Sequence, residues 1–172
     1  EFFLVYQKMV SETSSEQHME AFIRWKSPQL GMVSPGKIID VVSEFNIFSE
    51  LNDWIIKTVC HDLKQLQAID EEMPIVHINC PYSQLSDIAL DNILFSHLKT
   101  FDIPAENICL EISGQDIVQC LEDIMLLEES GVRICIDNIE NSDEEHEIIS
   151  VVKPDYVKLS VDILNADMYL TS

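Results

Sequence analysis

Apolar positions along this chain switch repeatedly between a period of two and a period near 3.6. Residues 3–10 and 19–25 have strand character and flank a polar turn at 11–17. A loop, Ser27-Pro28-Gln29-Leu30-Gly31, follows. Ser34 and Pro35 then supply an N-cap and a first-turn proline for a helix running to about Phe45. Phe48, Leu51, Ile55, Val59, Leu63 and Leu66 recur at three- and four-residue intervals, which marks one stripe of a second helix. Beyond it, apolar segments at 75–80, 107–112, 132–137 and 155–159 alternate with helical patterns at about 83–99, 116–130 and 143–151. Ser113 and Asp116 have the spacing of a capping box, and Gly131 suits a helix exit. Ile134-Cys135-Ile136 lacks polar alternation, as in a sheet covered on both faces. Repeated βα units of this kind predict an α/β fold built on a parallel sheet or barrel.

Five of these apolar segments each carry one polar residue suited to a metal or a phosphate: Glu20, Asn79, Glu111, Asp137 and Lys158. In a parallel βα array the carboxyl ends of all strands open onto one face, so residues distant in sequence converge there. A metal-dependent site is the economical reading. Taken singly, each residue has a plainer one: Glu111 and Asp137 as solvated or helix-capping carboxylates, Asn79 as a cap, Lys158 as a surface charge, and Arg24-Trp25 as a stacking or interface pair. His18, His61, His77 and His97 share no ligand spacing and read as structural, and Asp143-Glu144-Glu145 beside His146 reads as a solvated face.

Composition narrows the field. The 172 residues suit one ordinary domain with a real core, and 47% apolar and 24% charged content is that of a globular chain. Ten basic against 31 acidic residues give a net charge of -21, a field that repels DNA, RNA and anionic membranes. The five cysteines, Cys60, Cys80, Cys109, Cys120 and Cys135, form no CxxC pair. Buried reduced thiols suit them better than a disulfide framework or a zinc site. No apolar run has the length of a membrane span, and a start inside a strand-like segment suggests an excised domain. We expect a cytoplasmic protein, or the cytoplasmic portion of a larger bacterial one.

Glu20-Ala21-Phe22-Ile23-Arg24-Trp25 resembles the E-A-L-x-R-W signature of EAL domains, bacterial phosphodiesterases that linearise cyclic di-GMP. Phe3 to Gln7 resembles the family's F-x-x-Y-Q strand. Gly31, Pro35, Ile38 and Ile39 fall on its G-x-x-x-P-x-x-F-I segment, with Ile38 at the phenylalanine position. Ile78-Asn79 is similar to its asparagine strand, Leu110-Glu111-Ile112-Ser113 to its L-E-I-T segment, and residues 131–137 to the strand leading to paired aspartates. Lys158 falls on its lysine.

The resemblance implies a TIM-barrel-like fold whose first strand is antiparallel, with about six strands of an incomplete barrel in this chain. It implies one EAL-like domain over residues 1–172, lacking the family's final strands. It also implies Mg2+ or Mn2+ held by Glu20, Asn79, Glu111 and Asp137, with Asp137 bridging to a second ion. Glu20 and Lys158 would be catalytic, Lys158 by orienting the attacking water, while Gln7, Phe22 and Arg24 would contact the dinucleotide. Two divalent cations supply the activated water and the charge neutralisation that phosphodiester hydrolysis needs, and both prefer hard oxygen donors.

Departures accompany these matches. Asn138 stands where active members carry the second aspartate. Residues 138–143 lack the glycines of the family's D-F-G-x-G-x-S loop, and Ser160 and Ser43 replace an aspartate and a glutamate. The expectation is therefore a degenerate cyclic di-GMP binding or regulatory module with weak or no hydrolysis. An active phosphodiesterase and a protein-interaction module without nucleotide stand as alternatives. A homodimer would cover the open sheet edges, and a sensory or GGDEF domain is the expected attachment.

Overall fold

A computed structural model describes residues 1–10, 15–69, 72–81, 89–115, 117, 121–139 and 143–159. Strand β1 (Phe2–Met9) runs antiparallel to β2 (His18–Ser27) along its whole length, pairing Phe2 with Trp25 and Met9 with His18. A short β3 (Gly31–Val33) folds back antiparallel on Trp25 to Ser27. Helices α1 (Pro35–Phe45) and α2 (Phe48–Gln67) lead to β4 (Ile75–Asn79), which lies parallel to β2. Then come α3 (Ala89–Phe101), a 3-10 turn (Ala105–Asn107), β5 (Ile108–Ser113), α4 (Leu121–Glu129), β6 (Arg133–Ile139), α5 (Asp143–Val152) and β7 (Tyr156–Leu159).

The sheet order is β1-β2-β4-β5-β6-β7, with β3 attached beside β2, and every pair from β2–β4 to β6–β7 is parallel. This is the expected TIM-barrel-like arrangement with its first strand antiparallel, and the described strands form an open arc rather than a closed barrel. Six strands match those anticipated from the sequence, and β3 is added. Three residues are too few to display a period, so only pairing with β2 defines that strand.

Local chemistry explains the breaks between elements. Pro35 occupies the first turn of α1, although Ser34 makes no side-chain capping bond and contributes instead its carbonyl, which accepts from Ile38 N–H at 3.1 Å. Asn46 takes a left-handed conformation (φ 50°), and Ile47 N–H returns to Val42 O at 3.0 Å, which ends α1 two residues before α2 begins. Gly131 has φ 87°, a value that strains any side chain, at the exit from α4 toward β6. The capping partner Asp116, the first residues of the helix expected from 83, Cys120, loop residues 140–142 and Ser160 lie outside the described residues.

One face of the sheet meets the helices. Ala21, Val76, Ile78, Leu110, Ile112, Ile134 and Ile136 pack with Ile56, Val59, Cys60 and Leu63 of α2 and Leu90, Leu94 and Leu98 of α3. The apolar face of α2 is thus wider than the stripe read from sequence, because Ile56 and Cys60 are buried as well. Each fully buried aliphatic side chain contributes on the order of 1.5–3 kcal/mol, so this layer fixes the strands and their register. The residues between them, at alternate positions, face the other way. Among the described residues, no helix is long and apolar enough to cross a membrane.

Candidate functional site

Strand registers decide what the second face carries. Antiparallel pairing places Gln7 opposite Glu20, Val5 opposite Phe22 and Phe3 opposite Arg24. Parallel pairing places Glu20 beside His77, Asn79 beside Glu111, Glu111 beside Cys135 and Cys135 beside Tyr156. Side chains two apart share a face, so Gln7, Glu20, Phe22, Arg24, Asn79, Glu111, Asp137 and Lys158 all project from the face that the helices leave free. Two backbone bonds tie the carboxyl ends together: Cys80 N–H donates to Glu111 O at 2.8 Å, and Gly114 N–H donates to Asp137 O at 2.9 Å.

Four of the expected residues touch. Lys158 Nζ donates to Glu20 Oε2 at 2.7 Å and lies 2.5 Å from Glu111 Oε1. Asn79 Nδ2 donates to Glu20 Oε1 at 3.0 Å. The ammonium therefore bridges two carboxylates contributed by strands far apart in sequence. Glu111 is fully buried, and its second oxygen, Oε2, has no hydrogen-bond partner among the described residues. A buried carboxylate oxygen without a donor costs roughly 1–3 kcal/mol, and its free lone pairs are what a hard cation accepts.

Asp137 sits half-buried beside Ser113, and its Oδ1 accepts the N–H of Asn138 at 2.8 Å. Asn138 itself is exposed at φ 59°, where β6 shifts register against β7 between Ile136 and Ile139. That left-handed conformation is one asparagine and aspartate tolerate better than most residues. Ser43 is exposed on α1, and Gln7 is exposed opposite Glu20.

Charge in this cluster is strongly coupled. Burial alone would raise the Glu111 carboxyl, but hydrogen bonds from His77 and Lys158, with their charges, outweigh burial and hold it below its usual range. Burial likewise opposes the Lys158 ammonium, while its bonds to Glu111 and Glu20 raise its pKa. Two carboxylates share one ammonium, and Asp137 lies on the same face of the sheet, opposite Ser113. Glu20, Glu111 and Asn79 offer hard oxygen donors of the kind Mg2+ or Mn2+ prefers.

Beside the carboxylates lies a layer that the sequence reading assigned to structure alone. His77 Nδ1 meets Glu111 Oε1 at 2.8 Å, and His77 Nε2 meets His18 Nδ1 at 3.0 Å, both inside the protein. His77, Glu111 and Cys135 place one ligand atom each within 4.8 Å of one another. Burial lowers the His18 pKa, while bonds to Cys135 and Glu111 raise His77 against its own burial. The Cys109 thiol draws Cys135 down to about 7 despite burial. Tyr156 stacks edge-on to His18 at 4.9 Å, and its hydroxyl takes a hydrogen bond from Arg133, whose guanidinium also holds Glu16 at 3.0 and 3.1 Å. Spacing between histidines could not reveal this layer. Parity could: His18, His77 and Cys135 each precede an expected ligand by two residues.

Next to Asn79, a pocket of about 180 Å3 opens between β2, α1 and α2, lined by Phe22, Arg24, Pro35, Ile39, Ile55 and Pro81 among others. Arg24 stacks its guanidinium 5.4 Å from the Phe22 ring centre and donates to Ile23 O at 3.0 Å. A planar cation on an aromatic ring at the rim of an apolar pocket suits a ligand that combines phosphate with flat apolar surface.

Comparison with known proteins gives a consistent picture. The EAL domain family model matches residues 1–169. The cyclic di-GMP phosphodiesterase NbdA of Pseudomonas aeruginosa is 29% identical over 140 residues, covering 78% of this chain and 18% of that protein. The probable cyclic di-GMP phosphodiesterase PdeI of Escherichia coli is 29% identical over 167 residues, covering 92% of this chain and 21% of that protein. The chain thus spans about a fifth of the length of the curated relatives it matches. Among solved structures, the PaMucR phosphodiesterase in complex with c-di-GMP superposes with a TM-score of 0.83 at 18% identity, covering 95% of this chain and 68% of that one. By its sequence over nearly all its length, the chain belongs to the EAL domain family.

Proposed function

We propose that this chain binds cyclic di-GMP at the carboxyl ends of its strands and hydrolyses it weakly or not at all, serving as a cytoplasmic regulatory module within a longer signalling protein. One observation carries the reading: Glu20, Asn79, Glu111 and Lys158, drawn from four strands, form a single connected cluster. The names of its relatives, which act on or bind this nucleotide, support it from outside the geometry. A sensory or GGDEF domain attached to the chain fits the length of those relatives, and a second copy against an open sheet edge fits the unclosed arc.

In this reading Glu20, Asn79, Glu111 and Asp137 hold a first Mg2+ or Mn2+, with Asp137 and Asn138 facing a second. Divalent cations at such a site neutralise phosphate charge and lower the pKa of a bound water. Glu20 and Lys158 are the catalytic pair where turnover survives, Lys158 positioning the nucleophilic water with its ammonium. Arg24 contacts a phosphate, while Phe22 and Gln7 lie along the dinucleotide. Asn138 weakens the second position because a neutral amide oxygen attracts a divalent cation less than a carboxylate does. An active phosphodiesterase is the second reading, favoured by the retention of Glu20, Asn79, Glu111, Asp137 and Lys158 together.

Incubation with cyclic di-GMP and Mn2+ is expected to give linear product only near background, and Asn138→Asp, which the left-handed backbone there accepts, is expected to raise it. Turnover by the parent at rates ordinary for a phosphodiesterase would overturn the degenerate reading. In calorimetry the parent binds cyclic di-GMP, and Arg24→Ala loses about 1.5–3 kcal/mol, roughly tenfold to a hundredfold in Kd. Absence of binding by the parent would favour a protein-interaction module instead.

The Lys158 cluster also predicts a pH signature in metal-free protein. Depression of the Glu111 carboxyl contributes stability above the ordinary glutamate pKa of about 4.3, lost as pH falls through its lower folded value. Elevation of Lys158 contributes stability below about 10.4, lost as pH rises through its higher folded value. Urea unfolding should therefore show Lys158→Met less stable than the parent by about 1–3 kcal/mol between roughly pH 5 and 10, with the gap closing outside that window. A gap independent of pH would contradict the charge coupling.

A further inference from the structure

We propose that His77, Cys135 and Glu111 form a second cation site, selective for a thiophilic or borderline ion of the Zn2+ type, which shares Glu111 with the oxygen-donor cluster and so competes with it. This site is independent of the nucleotide reading, since it needs no phosphate ligand.

The donor set is the first argument. An imidazole nitrogen, a thiol sulfur and a carboxylate oxygen lie within 4.8 Å of one another, each from a different parallel strand. Tetrahedral Zn2+ with bonds of about 2.0–2.3 Å sets its ligand atoms roughly 3.3–3.8 Å apart, so the three need to close by only about 1 Å. Mg2+ and Mn2+ select oxygen, whereas sulfur with imidazole selects Zn2+, and the mixed set therefore differs in kind from its neighbour. Three protein ligands leave a fourth tetrahedral position for water.

The second argument is the unsatisfied oxygen. Among the described residues, Glu111 Oε2 is buried without a hydrogen-bond partner, while its other oxygen is occupied by Lys158 and His77. A cation held there satisfies that oxygen, and Lys158 retains Glu20 as its partner. The third argument is orientation. Nδ1 of His77 faces Glu111, and its Nε2 is hydrogen-bonded to His18 Nδ1, so the ring already has the outer partner that fixes a metal-binding imidazole. On binding, the ion takes the Nδ1 lone pair and the Cys135 thiolate. The thiol proton and the Nδ1 proton with which His77 bonds Glu111 both leave to solvent, and the charges of Cys135 and Glu111 balance the ion.

Because one carboxylate cannot serve both centres fully, occupancy by Zn2+ withdraws Glu111 from the oxygen cage. The expected consequence is antagonism between Zn2+ and Mn2+ in this protein.

Co2+, which reports its ligands optically, tests the site. Titration of the metal-free chain should give one ion per chain with a near-ultraviolet thiolate-to-cobalt charge-transfer band, and Zn2+ should bleach it. Cys135→Ser should abolish the band, Cys109→Ser should retain it, and His77→Gln should weaken Zn2+ binding at least tenfold, with circular dichroism checking the fold of each variant. If Cys135→Ser does not fold, X-ray absorption on the Zn2+-loaded parent decides: one sulfur at about 2.3 Å beside nitrogen and oxygen supports the site. A shell of oxygen and nitrogen only, or a cobalt band that survives in folded Cys135→Ser, overturns it.

Discussion

The Lys158 ammonium held between Glu20 and Glu111 is the contact on which the rest of this site depends. Two carboxylates on β2 and β5, one of them fully buried, repel each other in a medium far less polarisable than water. With a cation between them the same geometry becomes attractive. Lys158 supplies that cation from β7, the last described strand, and so links the end of the arc to β2 near its beginning. The helix-facing layer of Val76, Ile78, Leu110, Ile134 and Ile136 gives this arrangement its rigidity, because a slip of one residue in any strand would turn its ligand toward the helices.

Much of this was legible in the sequence, and the reasons differ by element. Helix α2 announced itself through a long periodic stripe, and β4 to β7 through short apolar runs between helical ones. The common face of Glu20, Asn79, Glu111 and Lys158 followed from parallel topology, and their contacts bear it out. Asp137 reached the same face, but its observed bond is to the neighbouring Asn138 N–H. Strand β3 stayed hidden because Gly31-Met32-Val33 is stabilised only by pairing with Trp25 to Ser27.

The buried layer of His18, His77 and Cys135 was harder to see for a different physical reason. Cysteine and histidine pass as apolar or neutral in a hydropathy pattern, so Ile134-Cys135-Ile136 looks uniform although its residues face opposite sides. Once the register is known, Ile134 and Ile136 pack beneath the helices while Cys135 joins Glu111 and His77. The histidine that read as merely structural is the direct hydrogen-bond partner of the buried carboxylate. The outer oxygen-donor centre and this inner layer are thus coupled through Glu111, and any ion or proton that engages one alters the other.

A divalent cation held by Glu20 and Glu111 must compete with the Lys158 ammonium that bridges them. Counting free Mn2+ by paramagnetic resonance during titration of the metal-free chain measures this directly. The parent should take up Mn2+, Lys158→Met should take it up more tightly because no ammonium competes, and Glu111→Gln should lose uptake. Uptake that Glu111→Gln leaves unchanged, or none by the parent at millimolar Mn2+, would contradict that competition.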